Sequence, residues 1–265
     1  MSDPVLPKED LRVSVLQQPL VWQDADANRR VFGELILGLS GKTDLIVLPE
    51  MFTAGFSMDV EKVAEPAEGP TLDWMRQMAA DSGAVVTGSY GVKTEEGVVN
   101  RLVWMQADGV HAHYDKRHLF RMAGEHKRYA AGRDRLLVTL KGWRCCPMTC
   151  YDLRFPVWCR NNDDYDLLLF VANWPAARAY HWQTLLKARA IENLSFVVGV
   201  NRVGQDGKGL QYSGDSAILD MEGKALVEPA SQAGAFTAIL RAEELHAYRE
   251  RFPAHLDADD FSIRD

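Results

Sequence analysis

The sequence has few cysteines, no excess of positive charge and no long apolar segment. Four cysteines occur among 265 residues, and all four lie between positions 145 and 159. Cysteines this close in sequence cannot join distant segments as the disulfides of small secreted domains do, so we expect reduced thiols. The charge sum of 30 − 37 = −7 provides no broad positive field for phosphates, and nucleic acid is not an expected partner.

Signals for export or membrane insertion are equally lacking. The first ten residues, MSDPVLPKED, are polar and acidic, whereas a signal peptide needs a basic start and an apolar stretch. The longest apolar run, LLLFVA at 167–172, is far shorter than the roughly 20 residues that span a bilayer. We therefore expect a soluble, cytoplasmic protein that does not bind membranes.

What is present is the composition of a globular protein, with 47% hydrophobic and 25% charged residues. Strand-like and helix-like segments alternate without repeats or a Pro/Ser-rich linker, which predicts a single domain over 1–265. Continuous apolar strands, such as those at 166–174 and 196–203, must be covered on both faces. Residues 11–17 are predicted to form a strand, and 84–106 and 135–152 resemble antiparallel hairpins with turns at Glu96-Gly97 and Lys141-Gly142. The mixture predicts a layered α/β fold with helices outside the sheets.

Three reactive side chains follow directly after strand-like runs. Glu50 follows the run at 44–49, Lys116 follows the run at 110–114, and Cys150 follows the second strand of the hairpin at 135–152. Residues at the carboxyl ends of neighbouring strands converge in space. Each residue alone has an ordinary explanation, as a solvated carboxylate, a surface charge or an inert core thiol. Together, an acid, an amine and a thiol at three such ends indicate a hydrolytic site.

The segments around these residues resemble the nitrilase superfamily of carbon–nitrogen hydrolases. That superfamily carries its acid, lysine and cysteine in three motifs, which occur here in the same order: LPEMF (48–52), YDKRHLF (114–120) and CYDLRFP (150–156). Four further segments fit: ANWP (172–175), RAIEN (189–193), NRVG (201–204) and GDS (214–216). The likeness runs from Leu11 to Phe261 and is strongest to the ω-amidase branch, which hydrolyses the terminal amide of 2-oxoglutaramate and 2-oxosuccinamate.

The resemblance implies a four-layer α-β-β-α sandwich, a small-molecule amide as substrate, and neither a cofactor nor a metal. It assigns Cys150 as the nucleophile that forms a thioester, and Glu50 as the base that passes the thiol proton to departing ammonia and then activates water. Lys116 would stabilise the oxyanion together with the backbone N–H of Tyr151, and its ammonium would favour the thiolate.

A second acid, Glu125, stands where the family carries an additional glutamate. We expect it to orient Lys116 and to contribute to catalysis. The alternative is a loop carboxylate paired with Lys127 or Arg128.

Substrate contacts are expected from the segments after the nucleophile and after the strand at 166–174. Arg154 either forms an ion pair with Asp152 that fixes the turn after Cys150, or faces the carboxylate of the substrate. Trp174 occupies the family's place for a pocket wall. Three further residues are weaker candidates for substrate contact: Arg178, His181 and Arg202.

Other functions are also compatible with the sequence. A zinc site can be drawn from Cys145, Cys146, Cys150 and Cys159 with His113 or His118, but the ligand spacing is poor. A Cys150–His181 hydrolase pair is chemically reasonable. A nitrilase, an N-carbamoyl amidase or a deaminated glutathione amidase would use the same three residues, and a non-catalytic binding protein on the same fold is a further alternative.

The C-terminal segment, 241–265, carries several large apolar groups after the last strand-like run: Tyr248, Phe252, Leu256 and Phe261. Such groups cost solubility unless they pack on something. Nitrilase-like domains commonly pair through helices on one face, so the resemblance implies a homodimer with this tail at the subunit interface.

Overall fold

The computed structural model describes residues 7, 9–162, 164–259 and 261–263. The rest of the predicted domain and tail, namely 1–6, 8, 163, 260 and 264–265, lies outside the described residues. The helices are α1 (Ala25–Gly38), α2 (Val60–Val63), α3 (Pro70–Ser82), α4 (Pro156–Cys159), α5 (Ala179–Asn193) and α6 (Ala242–Arg251). The first eight strands are β1 (Leu11–Gln17), β2 (Leu45–Val47), β3 (Glu65–Pro66), β4 (Val85–Thr94), β5 (Gly97–Met105), β6 (His111–Asp115), β7 (Val138–Leu140) and β8 (Trp143–Thr149). The remaining strands are β9 (Leu167–Ala172), β10 (Phe196–Asn201), β11 (Val203–Gln205), β12 (Gln211–Ser213), β13 (Ala217–Leu219), β14 (Ala225–Val227) and β15 (Gly234–Leu240).

The strands form two large sheets of similar design and one small hairpin. The first sheet has the order β15-β1-β2-β4-β5-β6, with β3 beside β4, and the second has the order β14-β13-β10-β9-β8-β7. Three central strands are parallel in each sheet, β1, β2 and β4 in one and β8, β9 and β10 in the other. Antiparallel strands flank both triplets, and β11 pairs with β12 separately.

Side-chain alternation divides the first sheet into two buried faces. Val13 and Val15 share a core with strand residues of the second sheet, whereas Ile46 and Val86 pack with Phe32 of α1 and other helix residues. Because a strand places successive side chains on opposite faces, one face meets the second sheet and the other meets α1 and α3. This arrangement explains the continuous apolar runs of the central strands.

Helix α5 covers the outer face of the second sheet. Its Trp182 and Leu186 approach β10 so closely that a Cβ at Gly199 would lie 2.5 Å from a Leu186 methyl carbon. Glycine at this position therefore permits the close approach of helix and strand. The order of helices, sheet, sheet and helix confirms the predicted four-layer α-β-β-α sandwich.

Element boundaries follow the sequence pattern closely. The hairpin β7–β8 turns at Lys141-Gly142 as predicted, and both residues have the positive φ, 50° and 83°, that a two-residue type I′ turn requires. In the hairpin β4–β5, Thr94 pairs with Gly97, so the turn lies at Glu95-Glu96, one residue before the predicted position. None of the helices within the described residues is long and apolar enough to cross a bilayer.

The C-terminal segment divides into a buried and an exposed half. Leu245 of α6 is fully buried in the core, and Arg249 is buried against the end of the second sheet. Beyond α6, Phe252 and Leu256 are 55% and 75% exposed. The helix therefore packs on the core of its own chain, and Phe252 and Leu256 beyond it offer apolar surface. The homodimer stays a prediction, and light scattering of a chain that ends at Arg251 would test the exposed half without removing α6.

Removing the Arg249 side chain is expected to destabilise the protein. Its guanidinium donates to Asp166 at 2.7 Å and to the carbonyls of Leu194 and Tyr165 at 2.9 Å each. Arg249→Ala would remove one of the two arginines that bind the buried Asp166, the other being Arg144, and one donor from each carbonyl. We expect the free energy of unfolding to fall by about 2 kcal/mol, as measured by urea denaturation. Arg251→Ala is the matched control, because that side chain is 72% exposed and its ion pair with Glu222 is long, at 4.0 Å, and therefore weak. If the two variants were equally stable, the buried contacts of Arg249 would not stabilise the fold as proposed.

Candidate active site

A cavity of about 210 Å³ opens where the carboxyl ends of β6, β8 and β9 meet. Five of the predicted site residues line it: Lys116, Cys150, Tyr151, Arg154 and Trp174. Apolar side chains form much of the remaining wall, among them Phe56, Phe120, Met122 and Leu210. The other two predicted residues, Glu50 and Glu125, are fully buried and contact Lys116. The structure thus brings all seven predicted residues to one region.

The three reactive side chains do not follow neighbouring strands of one sheet. Glu50 follows β2 and Lys116 follows β6, and these strands are separated by β4 and β5 in the first sheet. Cys150 follows β8 in the second sheet. The expectation of neighbouring strands was wrong, because the residues converge across the two packed sheets.

Strained backbone places both the acid and the thiol. Cys150 has a φ of 45°, and Met51, which follows Glu50, has a φ of 48°. Residues other than glycine seldom adopt this left-handed conformation, and it persists only where the surroundings enforce it. At Met51 the backbone N–H donates to the buried Ser89 hydroxyl at 3.0 Å. Glu50 and Cys150 therefore each lie at a sharp turn that follows a buried strand.

Lys116 is held by both glutamates. Its Nζ lies 2.9 Å from Glu50 Oε1 and 3.0 Å from each carboxylate oxygen of Glu125. All three side chains are fully buried. Glu125 in turn accepts a 2.6 Å hydrogen bond from the Phe120 backbone N–H. Glu125 is therefore not the surface carboxylate, paired with Lys127 or Arg128, that was the alternative.

The charges of Glu50, Lys116 and Glu125 influence one another's protonation. Burial alone would lower the pKa of Lys116, but Glu125 and Glu50 outweigh it and raise that pKa well above its ordinary value. Burial raises the pKa of Glu125, an effect that Lys116 opposes and Glu50 reinforces. Lys116 is consequently a permanent cation at neutral pH.

The thiol of Cys150 is neutral in the resting site. Burial and then the charge of Glu50 raise its pKa well above the ordinary value, although Lys116 acts in the opposite direction. The ammonium of Lys116 does favour the thiolate, as expected, but burial and the charge of Glu50 outweigh its effect on the pKa. The hydrogen bond that the structure gives the thiol goes to the carbonyl oxygen of Asn173, at 4.0 Å from Sγ, and the proton must leave the sulfur during the reaction.

Two asparagines that sequence reasoning missed hold Glu50 in place. Asn100 Nδ2 donates to Glu50 Oε1 at 2.9 Å, and the backbone N–H of Asn173 donates to Oε2 at 2.8 Å. The Asn173 side chain also donates to the carbonyl oxygen of Glu50. A signal was present for both: Asn100 is a polar residue within the apolar β5, and Asn173 precedes Trp174 in the ANWP segment.

Asp152 joins the turn after Cys150 to the lysine segment. It is fully buried, and it accepts hydrogen bonds from the Tyr114 hydroxyl at 2.7 Å and from the backbone N–H of His118 at 3.0 Å. The Thr149 N–H donates to it at 3.0 Å. Within the described residues it forms no ion pair with Arg154, so that expectation was wrong. The carboxylate is used instead to connect the segments on either side of Lys116 with the nucleophile turn.

Arg154 faces the cavity. Its guanidinium lies 4.8 Å from the centre of the Trp174 ring, and its Nη2 is 3.0 Å from His181 Nδ1. His181 thus contacts Arg154, and no contact with Cys150 occurs among the described residues. The Cys150–His181 alternative therefore has no geometric support.

The two remaining arginine candidates differ from each other. Arg178 lines the cavity with its guanidinium 5.4 Å from the centre of the Phe120 ring. Arg202 is fully buried, and it donates to the carbonyls of Val203 and Gln205 and lies over the Tyr212 ring. Arg178 therefore stays a candidate for substrate contact, whereas Arg202 supports the β11–β12 hairpin, which carries Tyr212.

The zinc alternative lacks a matching ligand group. Within the described ranges, no three His, Cys, Asp or Glu side chains lie together as a metal site would require. Cys145, Cys146 and Cys159 are fully buried and unpaired, and they do not line the cavity.

Comparisons with known proteins identify the family of the chain. Residues 12–250 match the carbon–nitrogen hydrolase family. The chain is 54% identical over 255 residues to omega-amidase YafV of Yersinia enterocolitica, a match that covers 96% of this chain and 98% of that protein. It is 32% identical over 250 residues to the 2-oxoglutaramate amidase of Bacillus subtilis strain 168, covering 92% and 96% respectively.

A solved structure extends the likeness to the whole fold. XC1258 from Xanthomonas campestris, described as a CN-hydrolase superfamily protein with an arsenic adduct in its active site, is 53% identical to this chain. The two superpose with a TM-score of 0.95 over 97% of this chain and 100% of that one. The chain belongs to the carbon–nitrogen hydrolase family, and it is an amidase of the nitrilase superfamily.

Proposed function

We propose that this amidase hydrolyses the terminal amide of a short 2-oxo acid, 2-oxoglutaramate or 2-oxosuccinamate, to the dicarboxylate and ammonia. The observation that carries the proposal is the pair of guanidinium groups, Arg154 and Arg178, in the wall of the cavity that contains Cys150. Guanidinium groups bind carboxylates well, and apolar side chains around them exclude water. The names of the two relatives, omega-amidase and 2-oxoglutaramate amidase, support the same substrate class.

In the first half of the proposed reaction, the amide is exchanged for a thioester. Cys150 Sγ bonds to the amide carbon while its proton moves to the Glu50 carboxylate, and the carbonyl electrons move to oxygen. The Lys116 ammonium and the Tyr151 backbone N–H stabilise that oxyanion. When the carbonyl re-forms, the carbon–nitrogen bond breaks, and Glu50 returns the proton to nitrogen so that ammonia leaves.

The second half regenerates the thiol. Glu50 takes a proton from a water molecule, whose oxygen attacks the thioester carbon. The carbon–sulfur bond then breaks, and the proton passes from Glu50 to sulfur. Glu125 takes no proton in this scheme: its contacts with Lys116 hold the ammonium in place, as the 3.0 Å distances to both of its oxygens support.

The first test concerns the nucleophile. Cys150→Ala is expected to abolish ammonia release, because no other thiol lines the cavity. The circular dichroism spectrum should stay unchanged. With a limiting amount of iodoacetamide, mass spectrometry should find Cys150 modified before the other three cysteines. The reason is access and not thiol pKa, which burial raises for all four cysteines: Cys150 lines the cavity, whereas the other three are fully buried and do not line it. Equal labelling of all four, or turnover by the variant, would rule out this role.

The second test separates the base from its electrostatic effect on the thiol. Glu50→Gln should abolish turnover because the amide cannot accept the thiol proton. The same change should lower the pKa of Cys150, since the charge of Glu50 raises it. The pH dependence of thiolate absorbance, measured against a Cys150→Ala blank, reports this shift. A midpoint that stays in place or moves to higher pH would contradict the proposed arrangement.

The third test concerns the substrate. We expect kcat/KM for 2-oxoglutaramate to exceed the values for propionamide, a simple nitrile, an N-carbamoyl acid and deaminated glutathione. Glutamine should also be poor, because its ammonium group would approach the two guanidiniums that favour an uncharged 2-oxo group. A coupled assay for ammonia measures the whole panel. Preference for the nitrile or the N-carbamoyl acid would replace the proposed substrate class with that compound's class.

A further inference from the structure

Two arginines line the cavity, and they are not fixed to the same degree. Arg178 has its guanidinium 5.4 Å from the Phe120 ring. Arg154 has both a ring beneath it, Trp174 at 4.8 Å, and a hydrogen bond to His181 at 3.0 Å. Because a bound carboxylate needs donors in a fixed orientation, Arg154 is the better prepared of the two.

The aromatic support of Arg154 is itself anchored. The indole Nε1 of Trp174 donates to the Arg178 carbonyl at 2.8 Å, and the Trp174 and Trp182 rings lie 5.5 Å apart. Trp174 is only 3% exposed. The ring therefore supports the guanidinium from one side but does not by itself set the direction of its N–H groups.

His181 supplies the missing restraint. A guanidinium has only donors, so the 3.0 Å contact with Arg154 Nη2 requires an unprotonated Nδ1 and places the imidazole proton on Nε2. In the described part of the chain, His181 is the only side chain that accepts a hydrogen bond from Arg154. One N–H is thus used for orientation, and the others are available for a ligand.

We propose that His181 is a positioning residue that orients Arg154 to bind the remote carboxylate of the substrate, and so determines selectivity for anionic over neutral amides. The inference rests on the proposed function and extends it from the reaction to substrate choice. His181 acts through Arg154 and does not touch the reacting atoms. It should therefore influence KM for a charged substrate and leave the chemical steps unchanged.

The test compares a charged and a neutral amide. For His181→Ala we expect KM for 2-oxoglutaramate to rise roughly 3- to 10-fold, the effect of losing one solvent-exposed hydrogen bond. The values of kcat with this substrate and of KM with propionamide should stay within about two-fold. Tyr180→Ala is the matched control, because Tyr180 is the adjacent residue of α5 and is 76% exposed.

Two further variants separate positioning from a merely structural role. His181→Asn keeps an acceptor near the position of Nδ1 and should restore a KM close to that of the unmodified enzyme. In an Arg154→Ala background, His181→Ala should add no further increase, because the partner through which it acts is gone. An additional increase there would show that His181 contacts the substrate directly, and failure of the asparagine variant to restore KM would show that the acceptor is irrelevant; either result overturns the inference.

The outcomes for the unmodified enzyme distinguish this inference from the proposed function. If the unmodified enzyme does not prefer 2-oxoglutaramate to propionamide, the proposed function fails, and the role of His181 fails with it. If the preference holds and His181→Ala leaves both KM values unchanged, only the role of His181 is overturned.

Discussion

The buried ammonium of Lys116 is the constraint on which the rest of the site depends. An unpaired charge in a protein interior costs several kcal/mol, so Lys116 requires partners of opposite charge. Glu50 and Glu125 provide them at 2.9 and 3.0 Å. Burial of the sulfur, reinforced by the charge of Glu50, raises the pKa of Cys150 even though the ammonium of Lys116 acts in the opposite direction. Within the proposed function, the thiol therefore has to lose its proton as it attacks the amide.

The position of this charge cluster relative to the thiol is set by the junction of two sheets. Lys116 follows a strand of the first sheet and Cys150 follows a strand of the second, so the packing of the sandwich fixes their separation. Asp152 reinforces the junction, because it binds Tyr114 and His118 on either side of Lys116 and lies two residues beyond Cys150. A buried carboxylate with four donors is rigid, and it relates the lysine to the nucleophile without contacting either side chain.

Much of this arrangement was predictable from sequence, and the part that was not has a physical reason. The strand β1, the Lys141-Gly142 turn and the four-layer fold follow from local periodicity, turn chemistry and the family resemblance. The meeting of Glu50, Lys116 and Cys150 was expected, but from the wrong geometry, since strand order across two sheets depends on pairings distant in sequence. The hydrogen-bond partners of Asp152, which are Tyr114 and His118 and not Arg154, could not be predicted either. They lie 38 and 34 residues away in the sequence, and packing brings them together. Asn100 and Asn173 could have been singled out as polar residues in apolar strand contexts, although nothing local indicates that both serve Glu50.

Within the proposed function, the distribution of charge also gives the substrate a direction. The inner end of the site contains the carboxylates of Glu50 and Glu125, and the cavity wall contains the guanidiniums of Arg154 and Arg178. A molecule with a carboxylate at one end and an uncharged amide at the other is therefore oriented with its amide toward Cys150. Hydrolysis converts that amide into a second carboxylate, which then lies in the field of two glutamates with only Lys116 to offset them. The same charges that orient the substrate thus weaken the binding of the product, so the reaction itself creates the repulsion that favours release.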